Sequence, residues 1–498
     1  MADKGTDRTT AAPHVVVVGG GIAGLAAAFF LRDEPVRVTV LEASPRIGGQ
    51  LEAAEVGGVT VDVGADSTYA RRPKTARLLK AAGLGEQVVS ASTTATAIWT
   101  RGGLRPLPAR QFMGVPADMD GLAESGILSS EGVARAREDL RLPRLDRDGD
   151  VSVADFVGGR LGREVVDRLV EPFLADAYFG RADELSFEAT LAPLVSATRR
   201  HTSLAEAAGA LLPEPAPAGQ EPPTGISTLP DGLGTLPHVL ADAIRASSPQ
   251  ASVRTGARVT ALTPAGGGWQ VTVAGAAGAS GTSGTSGPER IDADAVVVAV
   301  PAGPAGRLLA GPAGAGEAAA GLAEIPYAGT AIITLAYPRE ALDRLRKLGY
   351  SGYRAPSADG RKVRAVTFST AKWAHLAGEV EIVRCQAGGS GDDALLQRDD
   401  ADLVELAATE FAAAGAAAGG VAGDPVDSRV DRWEHAVPQY TVGHLDRIER
   451  IRAAVDARPG LAVCGAAYDG VGVGQCVASA RKAADQALAW LRKAADRT

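Results

Sequence analysis

Apolar positions in this chain open with short unbroken runs separated by glycines. Residues 15–18 are four valines closed by Gly19, Gly20 and Gly21, Ala-rich helix-forming sequence follows over 22–32, and 36–41 is a second β-branched run. Short continuous apolar runs punctuated by glycine predict strand, turn, helix and strand within about thirty residues, the size of one βαβ unit. The stretch 15–31 also invites a membrane-anchor or signal-peptide reading. It falls short of the roughly 20 apolar residues a span needs, and lacks a basic leader directly before it and a small-residue cleavage site after it. It reads as buried core, preceded by a polar tail.

Further along, the pattern changes. Charged, helix-favouring sequence fills residues 118–210, with a helix start at Ser152 and Asp155 that matches the capping-box pattern. Asp146, Asp148, Gly149 and Asp150 resemble a calcium loop, but Arg144 stands at the first ligand position, where a carboxylate is required, so the stretch reads as a solvated loop. Residues 213–223 are Pro-rich and read as a linker. Residues 253–263, 269–273 and 291–300 read as strands, with a GTSGTSG-containing flexible loop over 278–287. The last segment runs strand (461–463), glycine-rich turn, then a long helix from about Gln475. Strands mixed with helices from end to end predict an α/β or α+β class.

Composition narrows the function. A chain of 498 residues exceeds one growing core, so two or three domains are expected. A formal net charge of -8 argues against nucleic-acid binding, which needs clustered cations. Cys385, Cys464 and Cys476 are far apart and form no CxxC pair, which fits a reducing, cytoplasmic setting and neither a disulfide scaffold nor a metal site.

The chemistry starts at Gly19-Gly20-Gly21-Ile22-Ala23-Gly24, a GxGxxG directly after a strand and opening a helix. The first glycine (Gly19) permits the tight turn, the second (Gly21) lets backbone approach a pyrophosphate, and the third (Gly24) lets helix and strand pack closely. The anion then lies against the free N–H groups of the first helical turn, around Ile22 and Ala23. Glu42 ends the second strand, where a carboxylate bonds ribose hydroxyls; Glu there disfavours a 2′-phosphate and hence NADP. No second GxGxxG is visible. Electrons are therefore expected to enter from the substrate and leave to oxygen or another acceptor.

After Glu42 the chain continues Ala43-Ser44-Pro45-Arg46-Ile47-Gly48-Gly49, then Asp62-Val63-Gly64-Ala65. The Glu-x3-Arg-x-Gly-Gly string resembles the flavin amine oxidase and protoporphyrinogen oxidase superfamily. The resemblance implies non-covalent FAD, with Arg46, Gly48 and Gly49 at the diphosphate and Ala43, Gly64, Ala65, Asp66 and Val259 as further contacts. It implies that Gly465, Tyr468, Val471, Gly472 and Val473, in the glycine-rich turn before the last helix, lie beside the flavin ring. Gln50 stands where relatives often carry Arg or Lys.

Residues 440–444 (YTVGH), the AYDGVGVGQC segment, Glu171-Pro172, Ala336-Tyr337-Pro338, Thr367-Phe368-Ser369 and Lys372-Trp373 are similar to the porphyrinogen oxidase family, most of all its coproporphyrin-forming branch. That implies a discontinuous Rossmann-type FAD domain (1–70, 224–303, 445–498), a mixed-sheet substrate domain (71–110, 304–444), a helical cap (111–215) and a linker (216–223). It implies removal of six electrons from coproporphyrinogen III with O2 as acceptor and peroxide released, and contacts with ferrochelatase and the membrane surface. Arg71 and Arg72 are the expected cations for the substrate carboxylates, or equally two solvated surface arginines. Tyr178 and Trp373, with Phe179 and Tyr468, are candidates for the macrocycle pocket, though each could equally be core. His435 and His444 read as structural, and Cys464 and Cys476 as non-catalytic. Departures stand at Ala175, Asp176, Asp231 and Gln475. They leave open a paralogue that oxidises an amine or alicyclic compound, and a non-catalytic FAD- or porphyrin-binding carrier.

Overall fold

The computed structural model describes residues 12–70, 72–144, 149–213, 225–275, 287–416 and 419–496. The N-terminal tail before residue 12, residues 214–223 of the linker, residues 278–286 of the repeat loop, Asp146, Asp148 and Arg71 lie outside them.

The predicted βαβ unit forms as β1 (His14–Val18), α1 (Ile22–Leu31) and β2 (Arg37–Leu41). In β1, Val15 and Val17 enter one core and Val16 and Val18 the other. Both faces of the strand are therefore covered, which explains the unbroken apolar run. The parallel sheet has the order Ser252–Arg254, β2, β1, Ala295–Val298, Leu461–Val463, so it draws on well-separated stretches of chain. Helix α1 is apolar all round because it lies between this sheet, helix Leu236–Ser247 and the C-terminal helix Val473–Ala495.

Two strand assignments are corrected. Residues 253–263 split into Ser252–Arg254 in the parallel sheet and Val259–Ala265 in an antiparallel three-stranded sheet, because Gly256, at φ +63°, turns the chain between them. Residues 291–300 likewise divide into Glu289–Ala293 and Ala295–Val298. At the crossing, Asp294 donates its N–H to the His14 carbonyl and accepts the His14 N–H at 2.7 Å. Periodicity along a segment cannot reveal that the chain changes sheets midway. The last helix begins at Val473 rather than Gln475.

A second, mixed sheet runs Asp427–Pro438, Tyr327–Pro338, Val380–Ala387, Val363–Phe368, Gly352–Arg354, Thr96–Thr100, Gly103–Pro106. It is antiparallel except where Gly352–Arg354 pairs with Thr96–Thr100. The stretch expected as a cap is mostly helical around a shared hydrophobic cluster, plus a small hairpin at Gln111–Phe112 and Val115–Pro116. Ser152 caps helix Val153–Leu161 by accepting the Asp155 N–H at 3.0 Å, but Asp155 bonds the Ser152 hydroxyl instead of returning to its backbone. Aspartate is one methylene too short for the reciprocal bond. Glu206 does reach back to the Ser203 N–H, and the complete capping box forms there. Buried Arg160 and Asp139 pair inside the cap. Among the described residues, no helix is long and apolar enough to cross a membrane.

Candidate active site

The glycine turn after β1 is shaped by close approaches. A Cβ on Gly24 would lie 1.9 Å from the Gly19 carbonyl oxygen, and Gly19 itself has φ +109°. Gly21 differs: the nearest atom to its Cβ position is the Gly49 Cα at 4.0 Å, so the space in front of it is open. The Gly48 N–H donates to Gly20, which fastens the turn to the Arg46–Gly49 loop. Helix α1 begins there with no side-chain cap, leaving the Ile22 and Ala23 end free for an anion. These features fit the pyrophosphate of FAD.

Glu42 accepts N–H bonds from Gly20 at 2.6 Å and Ser44 at 2.7 Å. A carboxylate keeps further lone pairs for ribose hydroxyls. Ala43 lies between the two anchored residues. The Glu42 and Ser44 carbonyls accept from Ala257 and Gly256, which sets Val259 just beyond this edge. Arg46 pairs with Glu52 at 2.8 Å and lies over the Trp433 ring. Glu42→Gln is expected to weaken FAD binding ten- to a hundredfold. A charged hydrogen bond is worth roughly 1.5–3 kcal/mol, and about 1.4 kcal/mol is a decade of affinity. Titration of apoprotein with FAD measures this, and unchanged affinity would mean the ribose is held elsewhere.

Gly64 closes on the same region: its Cβ would sit 2.0 Å from the Gln50 carbonyl oxygen, which also accepts the Ala65 N–H. The Gln50 side chain donates to the Ala436 carbonyl. Arg384, which the sequence reading did not single out, donates to the Gly64 carbonyl at 2.5 Å. Asp66 is occupied by Lys372 at 2.8 Å and Arg384 at 3.2 Å. Burial pushes its carboxyl up, but the two cations hold it well below the usual carboxylate range. Trp373 is buried and lines a small chamber of mixed character with Asp62, Asp66, Thr228, Leu376 and Arg384. Burial raises the Asp62 carboxyl to about 6, against the opposing bonds from the Leu233 and Gly234 N–H groups.

The C-terminal turn reaches the cradle from another side. The Cys464 Sγ is 4.0 Å from the Ala23 carbonyl, and Val473–Ala495 packs along α1. Gly465 has φ +130°, Tyr468 is buried, and the helix starts after Gly472 and Val471 with no side-chain cap. A second free helix N-terminus thus accompanies the first, and such an end favours negative charge placed against it. Gln475 folds back over the turn; a Cβ on Gly470 or Gly472 would be 2.6 Å from its side chain. Burial pushes the Cys464 and Cys476 thiols up, Cys476 to about 12, so both remain protonated.

Of the residues expected to meet substrate, Tyr178 packs 5.9 Å from Tyr440, in different contacts from those of Trp373. Tyr440 stacks on His444 at 3.8 Å. Phe179 holds φ +54°. Asp176 pairs with Arg354 at 2.6 Å, the Ala175 carbonyl accepts from Gln386, and Gly232 beside Asp231 packs on Asp62. Arg72 is exposed at the start of helix Pro73–Ala81, over the half-exposed Tyr69 ring.

His444 is fully buried, and burial, with the Arg447 charge, lowers it from 6.5 to about 4. The unfolded imidazole takes up a proton first, so its contribution is present above pH 6.5 and is lost as pH falls towards 4. The full effect is about 3 kcal/mol at 1.36 kcal/mol per unit. His444→Phe should flatten the urea-midpoint profile over that window. An unchanged slope would place the acid sensitivity in another group.

The family model for flavin containing amine oxidoreductases matches residues 22–488. Coproporphyrinogen III oxidase of Mycobacterium tuberculosis is 34% identical over 481 residues, covering 94% of this chain and 95% of that protein. The Bacillus subtilis coproporphyrinogen III oxidase is 29% identical over 490 residues, covering 96% and 98%. A provisionally named protoporphyrinogen oxidase from Exiguobacterium sp. 255-15 superposes with a TM-score of 0.79 at 28% identity, covering 96% and 99% of the two chains. This chain belongs to the flavin-containing amine oxidoreductase family, in its porphyrinogen oxidase group, and is an FAD-dependent oxidase.

Proposed function

We propose that the chain oxidises coproporphyrinogen III to coproporphyrin III, with O2 as acceptor. Six electrons and six hydrogens leave the macrocycle, and three O2 become three H2O2. The observation that carries the cofactor side of the reading is the open cradle at Gly21, framed by Glu42 and the Gly48–Gly49 backbone and accompanied by two uncapped helix ends. Similarity to coproporphyrinogen III oxidases over nearly the whole chain supports the substrate.

Bound FAD supplies a hydride acceptor for a substrate C–H and a route for the electron pair to O2. The chain's own part is to bind, orient and exclude water. In this reading Tyr178 contributes an apolar wall; burial pushes its phenol to about 12, so it stays protonated and offers no base. Substrate N–H protons then leave to solvent. In the same reading Arg72, with Arg71 beside it in sequence, supplies cations for the substrate carboxylates. FAD is held without a covalent bond, in the discontinuous domain division given above.

Purified yellow protein in an oxygen electrode, with coproporphyrinogen III, protoporphyrinogen IX and simple amines, tests this. Acid precipitation of the same sample should release all its colour as FAD. Peroxide formation with coproporphyrinogen III is expected. Oxidation of amines alone would favour the paralogue reading, for which Asp176, tied to Arg354, is the pertinent departure. Arg71→Ala with Arg72→Ala is expected to raise KM for coproporphyrinogen, with four carboxylates, more than for protoporphyrinogen, with two. Exposed ion pairs contribute only about 0.2–1 kcal/mol, so a loss under about twofold would make them plain surface residues.

A further inference from the structure

Tyr440 stands where three parts of the molecule meet. Its hydroxyl donates to the Ala466 carbonyl and accepts the Gly470 N–H at 2.8 Å, bracketing the short helix Ala466–Asp469. That turn leads into the uncapped N-terminus at Gly472. Its own carbonyl accepts the Ser186 N–H of the cap at 2.7 Å, and Leu185 bridges to Thr441 next to it. Gln439 donates to the Tyr178 carbonyl at 2.7 Å. The Tyr440 ring is buried between Tyr178 and the stacked His444, so it cannot rotate without displacing one of them.

We propose that Tyr440 is a positioning residue that transmits the docking of the cap to the turn aiming the C-terminal helix N-terminus at the flavin. This rests on the reading that FAD occupies the Gly21 cradle. A helix N-terminus carries roughly half a positive charge that acts only within its first turn. Its effect on negative charge at the pyrimidine end of the ring is therefore sensitive to small displacements. In Tyr440→Phe the Gly470 N–H and Ala466 carbonyl lose their partner while the ring packing survives.

The test uses FAD-loaded Y440F and wild type. Sulfite adds through its lone pair to flavin N5 and leaves the resulting negative charge on the pyrimidine end, so its affinity reports the field there. Y440F should retain stoichiometric FAD, bind sulfite at least about tenfold more weakly, a change of about 1.4 kcal/mol, and lower kcat with little change in KM. Amide exchange of residues 466–472 should quicken at least tenfold. FAD-loaded Y440F with unchanged sulfite affinity and exchange overturns the proposal and leaves the cofactor reading intact. If Y440F does not retain FAD, exchange is read on both apoproteins, and unchanged rates overturn it equally. A wild-type protein without FAD overturns the cofactor reading, and this proposal with it.

Discussion

Gly21→Asp is expected to give a folded protein that carries no flavin. The nearest atom to the Gly21 Cβ position is 4.0 Å away, so the apoprotein has room for a side chain there. On the proposed reading FAD places its pyrophosphate in that space, where a carboxylate adds like-charge repulsion to the steric block. Affinity should fall by more than about a thousandfold, which is about 4 kcal/mol, while the thermal midpoint of apoprotein stays near wild type. Gly24→Ala makes the opposite case. Its single added carbon would meet the Gly19 oxygen at 1.9 Å, so helix and turn must separate before any cofactor arrives. Overpacking of that kind costs roughly 1–3 kcal/mol. The ratio of flavin to protein absorbance, with apoprotein melting curves, distinguishes the two variants. A yellow Gly21→Asp protein would show that the fingerprint is not where the cofactor binds.

The second large effect is expected from Asp139→Ala, far from the cradle in sequence. Asp139 is fully buried, paired with the Arg160 guanidinium, and accepts the Ala205 N–H at 3.0 Å. Arg160 also donates to the Asp139, Pro143 and Thr202 carbonyls. Removing the carboxylate leaves a buried cation without its counter-charge, which costs about 3–5 kcal/mol. The loss should appear as early proteolysis and urea unfolding of the cap, with the flavin absorbance initially retained. Asp139→Ala with Arg160→Leu should recover part of it, because the orphaned charge has gone. A single-variant loss below about 1 kcal/mol would mean that water or a rearranged Arg160 satisfies the site.

The parts of the site legible in the sequence are those fixed by local backbone geometry. Gly19 and Gly24 answer steric demands within one turn while Gly21 leaves the space before it open, and Gly465 and Gly470, at φ +130° and +124°, mark a second turn by backbone conformation. Strand exchange between sheets at Gly256 and Asp294 was not legible, because a run of alternating residues looks the same whichever sheet receives it. Arg384 was missed for a related reason. Two charges inside a buried strand, Glu381 and Arg384 in Val380–Ala387, were the available signal, but Gly64 lies 320 residues away from Arg384 and only folding brings them together. Tyr440 belonged to a quoted motif, yet its bonds to Ala466, Gly470 and Ser186 depend on three elements meeting.

The order of strands in the parallel sheet also governs biogenesis. Ala295–Val298 lies between β1 and Leu461–Val463, and Val473–Ala495 covers the face of α1 behind the phosphate cradle. A chain emerging from the ribosome makes β1, α1 and β2 early, yet cannot complete their sheet or cover that face until the segment beyond residue 461 is free of the exit tunnel. Until then the nascent nucleotide fold exposes an apolar helix and an unpaired strand edge. Those are the surfaces on which chaperones act.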